Sequence, residues 1–456
     1  MRILSPLAIC LAALLSTGCG NALKSEYQPP KVDYPTQWQP GAGADAATSV
    51  PFAWRDFHDP QLDRWLQQVM LANNDLAAAA LRVYRAQLAA QRVDIGTAPS
   101  VNATLNTGAS TALSNSSPWN KNSSANLGVS YEVDLWGKLA RQRDAAEWAS
   151  QATQQDLQTA RLALLANASK NYWRLGFINQ RIGVSQQNIA YSRQILQLVN
   201  ARYRAGSISS LDVVDAEQNL INQESSHLAL LRERQQALNE QTVLLGSPPG
   251  KALVEPARLP SGPLPQINAG IPVNVLRHRP DISAKELRLR EALANVDVKR
   301  TQYYPAFSLT GSLGASSTAL LEFLRNPLAS VGAGLSLPFL EWRQMDVDIK
   351  IARSDYELQV LEFKQALYKA MADVDDTLSL RSQLLAQEKH LQASLALAQK
   401  SERLNESRYR QGAVPISFWL DAQNRRRQAE LALDENRFGQ YQNLAQLYLE
   451  FGGSAQ

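Results

Sequence analysis

Four histidines, two cysteines and 42 acidic residues are the material for chemistry in this 456-residue chain, and their spacing forms no familiar reaction centre. His58, His227, His278 and His390 are scattered, with no His-Glu-x-x-His pair to hold zinc. GSPPGK at 246–251 has the wrong spacing for a phosphate-cradling loop. No Gly-x-Ser-x-Gly or Gly-x-Gly-x-x-Gly stands between a strand and a helix. These residues make no case for an enzyme and imply neither a metal nor a cofactor. Three acids stand out by position. Asp212, Asp215 and Asp421 lie within two nearly identical phrases, RYRAGSISSLDVVDAEQN from Arg202 and RYRQGAVPISFWLDAQN from Arg408. Acids so placed after a turn either complement a helix N-terminus or, repeated around a narrowing bundle, make a ring that favours cations.

The cysteines suggest a different chemistry. Both lie in the first 19 residues, so no disulfide framework is available. That segment has Arg2, then an apolar run from Leu7 to Leu15, then small residues, as a secretory signal over 1–18 does. Ser16-Thr17-Gly18-Cys19 resembles a lipobox, with Ser16 where leucine is usual, so Cys19 is the expected lipid attachment point. Gly20 rather than aspartate follows it, as in many lipoproteins sorted to an outer membrane. The alternative is ordinary cleavage that leaves a free thiol. Past the signal no run of 18 apolar residues exists, so any membrane crossing must use strands. The net charge is +4 with no basic block, which gives no reason to expect nucleic acid.

What positions these residues is a duplication. The 206-residue offset between the two phrases pairs Asp75 with Asp281, Pro99 with Pro305, Gly128 with Gly334, Trp136 with Trp342 and Gly246 with Gly452. Length alone suggests two or three domains; the duplication divides the chain into two halves with the same order: helix, strand, strand, very long helix, tight turn, helix. The first repeat is expected over 61–246, with strands at about 99–112 and 123–135 and helices at about 138–204 and 211–245. The second is expected over 276–452, with strands at about 305–316 and 329–339 and helices at about 343–410 and 417–450. A polar N-terminal arm (19–60), a Pro-rich linker (247–275) and a short tail (453–456) complete the chain.

The strands alternate strictly. Val101, Ala103 and Leu105 oppose Asn102, Thr104 and Asn106, and Leu309 and Leu313 oppose Ser308, Thr310 and Ser312. Their length suits a tilted membrane strand of about 9–11 residues, and the polar faces carry few charges, as a watered lumen would. Four strands leave open edges, which a bilayer forbids. Either the sheet is soluble or several chains pool strands into one barrel, and the second reading is favoured. The stretch 138–204 contains no proline, which implies a helix of about 100 Å at 1.5 Å per residue. A heptad through Ala168, Leu175, Ile182, Ile189, Leu196 and Tyr203, returning through Val214, Ile221, Leu228 and Leu238, implies coiled-coil partners. Trp136 and Trp342 end the second strand of each half; with Tyr303 and Tyr304 they fit an aromatic belt at the membrane interface, or else core positions at a strand–helix junction.

Several segments together resemble one family. Tyr131-Glu132-x-Asp134-Leu135-Trp136-Gly137, Arg279-Pro280-Asp281-Ile282 after Gly270-Ile271-Pro272, and Tyr304-Pro305-Ala306-Phe307-Ser308-Leu309-Thr310-Gly311 look like segments of TolC-like outer-membrane efflux channels, in the lipoprotein branch serving drug or metal export pumps. The resemblance covers essentially the whole mature chain. It implies a mainly helical fold with a small β part. Three chains would close a 12-stranded outer-membrane β-barrel continued by a long periplasmic α-helical barrel. It also implies a periplasmic adaptor, a proton-driven inner-membrane transporter, outer-membrane lipid around the barrel and a lipid such as palmitate on Cys19. The chain itself would be a passive, gated conduit for drugs or other small toxic compounds.

The same resemblance places the gate at the two turns, where Gly206 and Gly412 permit the positive φ of a tight reversal. Family acids six and nine positions after the second turn glycine fall on Phe418 and Asp421, so one acidic ring and a hydrophobic constriction from Phe418 or Leu420 are expected. The first repeat fills both places, with Asp212 and Asp215. A closing bond between Tyr409 and Asp212 is implied, whereas a second family tie through arginine is absent because Val414 occupies its place. Two other classes compete: a lipid-anchored periplasmic coiled-coil scaffold with a soluble β-tip, and the outer-membrane duct of a protein-secretion system.

Overall fold

The computed structural model describes residues 23–32, 54–112, 118–250, 254–265, 276, 279–317 and 327–453. Cys19, the signal segment and His278 lie outside them. The helices are α1 (Pro60–Ala72), α2 (Asn74–Gly96), α3 (Lys138–Arg204), α4 (Ser210–Leu244), α5 (Pro280–Thr301), α6 (Trp342–Arg410) and α7 (Ile416–Glu450). The strands are β1 (Ser100–Ser110), β2 (Asn120–Val133), β3 (Ala306–Ser317) and β4 (Pro327–Ser336). Each half therefore reads helix, strand, strand, long helix, helix. The fourth strand stops short of the expected 339 because Pro338, which has no amide to donate, opens a 3-10 turn over Pro338–Glu341. Among the described residues no helix is long and apolar enough to cross a membrane.

The chain divides into two structural units, and they do not coincide with the two repeats: each unit draws on both halves of the sequence. One comprises Met1–Val32, Leu81–Asp156 and Asp281–Ala366. Its centre is a single antiparallel sheet in the order β1-β2-β3-β4, where β2 and β3 join the repeats. The register puts Ala103 opposite Leu127, Leu127 opposite Leu313, and Leu313 opposite Ala329, so the alternating apolar positions share one face, while Leu328, opposite Gly314, lies on the other. Val101, Leu105, Leu127, Leu309, Leu313 and Val331 are exposed on the first of these faces, with no second layer among the described residues to cover them. The other face carries hydroxyl pairs, Ser100 Oγ to Ser130 Oγ at 2.7 Å and Ser312 Oγ to Ser330 Oγ at 2.6 Å.

At the junction of β2 with α3, the Asp134 carboxylate accepts from the amides of Leu139 (3.1 Å) and Ala140 (2.8 Å), satisfying donors that a helix start leaves open. Trp136 Nε1 donates to Pro305 O at 2.8 Å, and its ring packs 5.2 Å from that of Tyr304. The four expected interface aromatics thus divide. Trp136 and Tyr304 are half-buried, Trp342 is exposed, and Tyr303 is buried with its hydroxyl on Asp348 Oδ2 at 2.8 Å. Tyr303 is a junction residue of the interior rather than a surface aromatic, because Asp348 one helical layer away gives its hydroxyl a partner.

The second unit comprises Asp33–Ala80, Leu157–Pro280 and Leu367–Gln456. Trp54, Trp65, Tyr172, Trp173, Tyr441 and Tyr448 form its aromatic centre. Trp54 lies 4.2 Å from Tyr448, and Trp65 Nε1 donates to Ala168 O at 3.0 Å. The described stretch of the Pro-rich linker, 254–265, is held at Glu255 and Pro260. Glu255 accepts from Arg234 Nη2 (2.7 Å) and Asn179 Nδ2 (2.9 Å), and Pro260 O accepts from Tyr441 Oη (2.9 Å). Arg279 pairs with Glu450, both buried. The expected seam of α4 is not the buried one. Ala216, Asn219, Leu230, Ala237 and Gln241 are buried, whereas Val214, Ile221 and Leu228 face outward.

Candidate functional site: the paired hairpin tips

The two turns are built alike. The amide of Gly206 donates to Tyr203 O (2.9 Å) and that of Ser207 to Arg202 O (3.0 Å); Gly412 donates to Tyr409 O (3.0 Å) and Ala413 to Arg408 O (2.9 Å). This is the Schellman ending of a helix, and it requires a left-handed residue at the glycine, where φ is 71° and 74°. Gly206 and Gly412 therefore do what their sequence position suggests.

Beyond the turns the copies diverge. Asp212 accepts from the amide and hydroxyl of Ser209, both at 3.1 Å, as in a capping box. Its other oxygen lies 3.4 Å from the Ile416 amide, at the open start of α7. Asp212 is thus a cap for its own helix and for the neighbouring tip. Arg202 crosses in the same direction: Nη1 donates to Tyr409 O (3.2 Å) and Nη2 to Arg410 O (3.0 Å). A guanidinium on the last carbonyls of a helix complements their partial negative charge. The same group lies 4.9 Å over the Tyr409 ring.

Beneath these ties sits a small core of Ile195, Val199, Ala216, Tyr409, Ile416, Trp419 and Leu420, with Val414 packed against it. Leu420 is 6 % exposed and Phe418 53 %. Leu420 is therefore no constriction residue: on a helix, residues two positions apart point about 200° apart, and Leu420 faces the chain's own core while Phe418 faces out. Tyr409 is 2 % exposed, and its hydroxyl makes no well-aligned hydrogen bond among the described residues, with the Arg202 guanidinium as its polar neighbour. The expected Tyr409–Asp212 bond is not made within one chain; the Asp212 oxygens accept from Ser209 and Ile416 instead. Burial, with a smaller contribution from Asp212 and against the charge of Arg202, pushes the Tyr409 hydroxyl above its ordinary pKa. Asp421 is exposed and Asp215 half-buried, and neither has a side-chain partner among the described residues. The sequence reading missed Arg202 and Trp419. Arg202 was visible only as part of a repeated phrase, and Trp419 has no aromatic counterpart 206 residues earlier, where Val213 stands.

Residues 65–247 and 271–453 each match the model of a family described as outer membrane efflux protein. The chain belongs to the outer membrane efflux protein family. Among curated relatives, the pyoverdine export outer membrane protein OpmQ of Pseudomonas aeruginosa is 30% identical over 469 residues, covering 99% of this chain and 97% of that one. An uncharacterized protein of Haemophilus influenzae is 29% identical over 98% of both chains. Of solved structures, CusC matches with a TM-score of 0.84 at 24% identity over 95% of this chain and 100% of that chain. The open state of the Neisseria gonorrhoeae MtrE outer membrane channel matches with a TM-score of 0.83 at 24% identity, over 94% and 98%. These likenesses show the fold. As an outer membrane efflux protein, this chain is a transport channel and not an enzyme, and it serves as an exit duct in the outer membrane.

Proposed function

We propose that three copies of the chain pool their sheets into one 12-stranded barrel and their helices into a periplasmic tunnel, which carries small toxic compounds outward. The observation that carries this reading is the sheet: one face apolar and exposed, one face lined by hydroxyls, and two open edges at β1 and β4. A bilayer accepts such a sheet only when every backbone group is paired. A soluble β-tip would need a second layer over the apolar face, and the described residues supply none. A periplasmic adaptor and a proton-driven inner-membrane transporter complete the pump, and a lipid on Cys19 tethers the N-terminal arm. The names of relatives, a pyoverdine export protein and the toluene efflux pump protein TtgC of Pseudomonas putida, support small-molecule cargo over secreted protein.

The gate in this reading lies at the tips. Three Asp421 carboxylates form the acidic ring, Phe418 narrows the opening beside it, and Asp212 and Arg202 hold each pair of tips together. Asp215 adds negative charge on the first-repeat side. The test is a planar bilayer containing the purified full-length protein. A cation-selective conductance is expected, and Asp421→Asn should reduce the cation preference severalfold by removing the focused field. Absence of any channel from a protein that folds would refute the duct reading. A channel whose selectivity ignores Asp421→Asn would refute the ring alone.

A further inference from the structure

The duplication and the tip geometry together point to a contact that one chain cannot complete. Arg202 of the first tip grips the carbonyls of Tyr409 and Arg410 in the second. Its counterpart 206 residues on is Arg408, which is exposed and has no side-chain partner among the described residues. The counterparts of the gripped carbonyls are those of Tyr203 and Arg204. They end α3 in the geometry that ends α6, with the turn-glycine bond at 2.9 Å in one and 3.0 Å in the other. The carbonyl of Arg204, like that of Arg410, lies in the last turn, where a helix leaves acceptors open.

Burial divides the same way. Tyr409 is 2 % exposed and its counterpart Tyr203 47 %; Leu420 is 6 % exposed and its counterpart Val214 54 %. Each chain thus carries the arginine donor and the helix-end carbonyls twice and makes the crossing contact once. The first tip's donor and the second tip's acceptors meet within the chain. The second tip's donor and the first tip's acceptors are left over, and they are complementary.

We propose that the tip contact between copies is a repeat of the contact within the chain. Arg408 of one copy donates to the carbonyls of Tyr203 and Arg204 in the next copy, and its guanidinium lies over that Tyr203 ring. The occupant of the exposed Tyr203–Val214 face is therefore the second tip of another copy. Such a head-to-tail contact closes into a ring when the rotation closes, so six tips alternate around one opening. Arg408 and Arg202 act as positioning residues for the gate.

The inference rests on the trimeric reading above, so the particle mass of the detergent-solubilised full-length protein is measured first by light scattering. The variant Arg204→Cys/Arg408→Cys keeps the acceptor carbonyl and places thiols on both sides of the contact. A short bifunctional thiol reagent should join it into species of two and three chains, and the single Arg408→Cys variant should give none. In bilayers Arg408→Ala should raise the population of the leaky state about tenfold, the effect of losing one charged hydrogen bond. Arg408→Lys should recover only part, because an ammonium cannot bridge two carbonyls and stack at once. A particle of three chains without cross-linking and with unchanged conductance overturns the proposal and leaves the trimer standing. A monomeric particle overturns both.

Discussion

Replacing Arg279 with alanine tests a buried ion pair that ties the two ends of the second repeat together, Arg279 with Glu450. The side chains of Arg279 and Glu450 are 9% and 4% exposed and pair directly. The other Glu450 oxygen accepts from Gln446 Nε2 at 2.6 Å, and Gln446 Oε1 in turn accepts from Lys170 Nζ at 2.8 Å. Truncating the arginine leaves the carboxylate in a site closed to water. Breaking a buried pair from one side costs about 3–5 kcal/mol. In a unit of this size each kcal/mol moves Tm by about 2–4 °C, so a fall of about 6–20 °C is expected. The double variant Arg279→Met/Glu450→Leu removes both charges and should regain most of that loss, because apolar replacement of a buried pair is often neutral. Thermal scans of the detergent-solubilised protein by far-UV circular dichroism read both. A loss under about 1 kcal/mol for Arg279→Ala, the range of a surface pair, would refute the argument, as would a double variant no better than the single.

Two further outcomes follow from the linker. A Cβ on Gly176 would stand 2.9 Å from Arg258 O and 3.0 Å from its carbonyl carbon. Because that neighbour is backbone, Gly176→Ala should lift the linker off α3 at a cost of about 1–3 kcal/mol and speed its proteolysis at residues 254–265. For Glu255, burial pushes the carboxyl pKa up, but the hydrogen bonds from Arg234 and Asn179 and the Arg234 charge outweigh it, holding the pKa below its ordinary value. A depressed carboxyl pKa contributes stability above the unfolded value, and that contribution is lost as pH falls through the folded one. Linker protection against proteolysis should therefore fade in acid below the usual carboxylate range, and Glu255→Gln should flatten that dependence.

Much of the fold was legible because its signals are local. The proline-free run from 138 to 204 predicts one helix, and Lys138–Arg204 is one helix. The alternation of β1 to β4 predicts a two-faced sheet, and the register places the alternating apolar residues on one face, with Leu328 the exception at the start of β4. What failed involved direction. Val214, Ile221 and Leu228 look like a seam because an apolar residue meant for another copy has the same character as one meant for its own chain. Leu420 and Phe418 are both apolar and two positions apart, and only helix phase separates core from surface. The Arg279-Pro280-Asp281-Ile282 segment was readable as a motif and not as a structure. Pro280 opens α5, Ile282 is buried, and the partner of Arg279 stands 171 residues away.

The open outer edges of β1 and β4 also carry a genetic consequence. A barrel that closes only by joining the β4 of one copy to the β1 of the next has no partial form that lipid accepts. One copy with a damaged edge therefore disables its two companions as well. Loss-of-edge alleles should be dominant over a normal copy in the same cell, whereas alleles that merely prevent the chain from folding should be recessive.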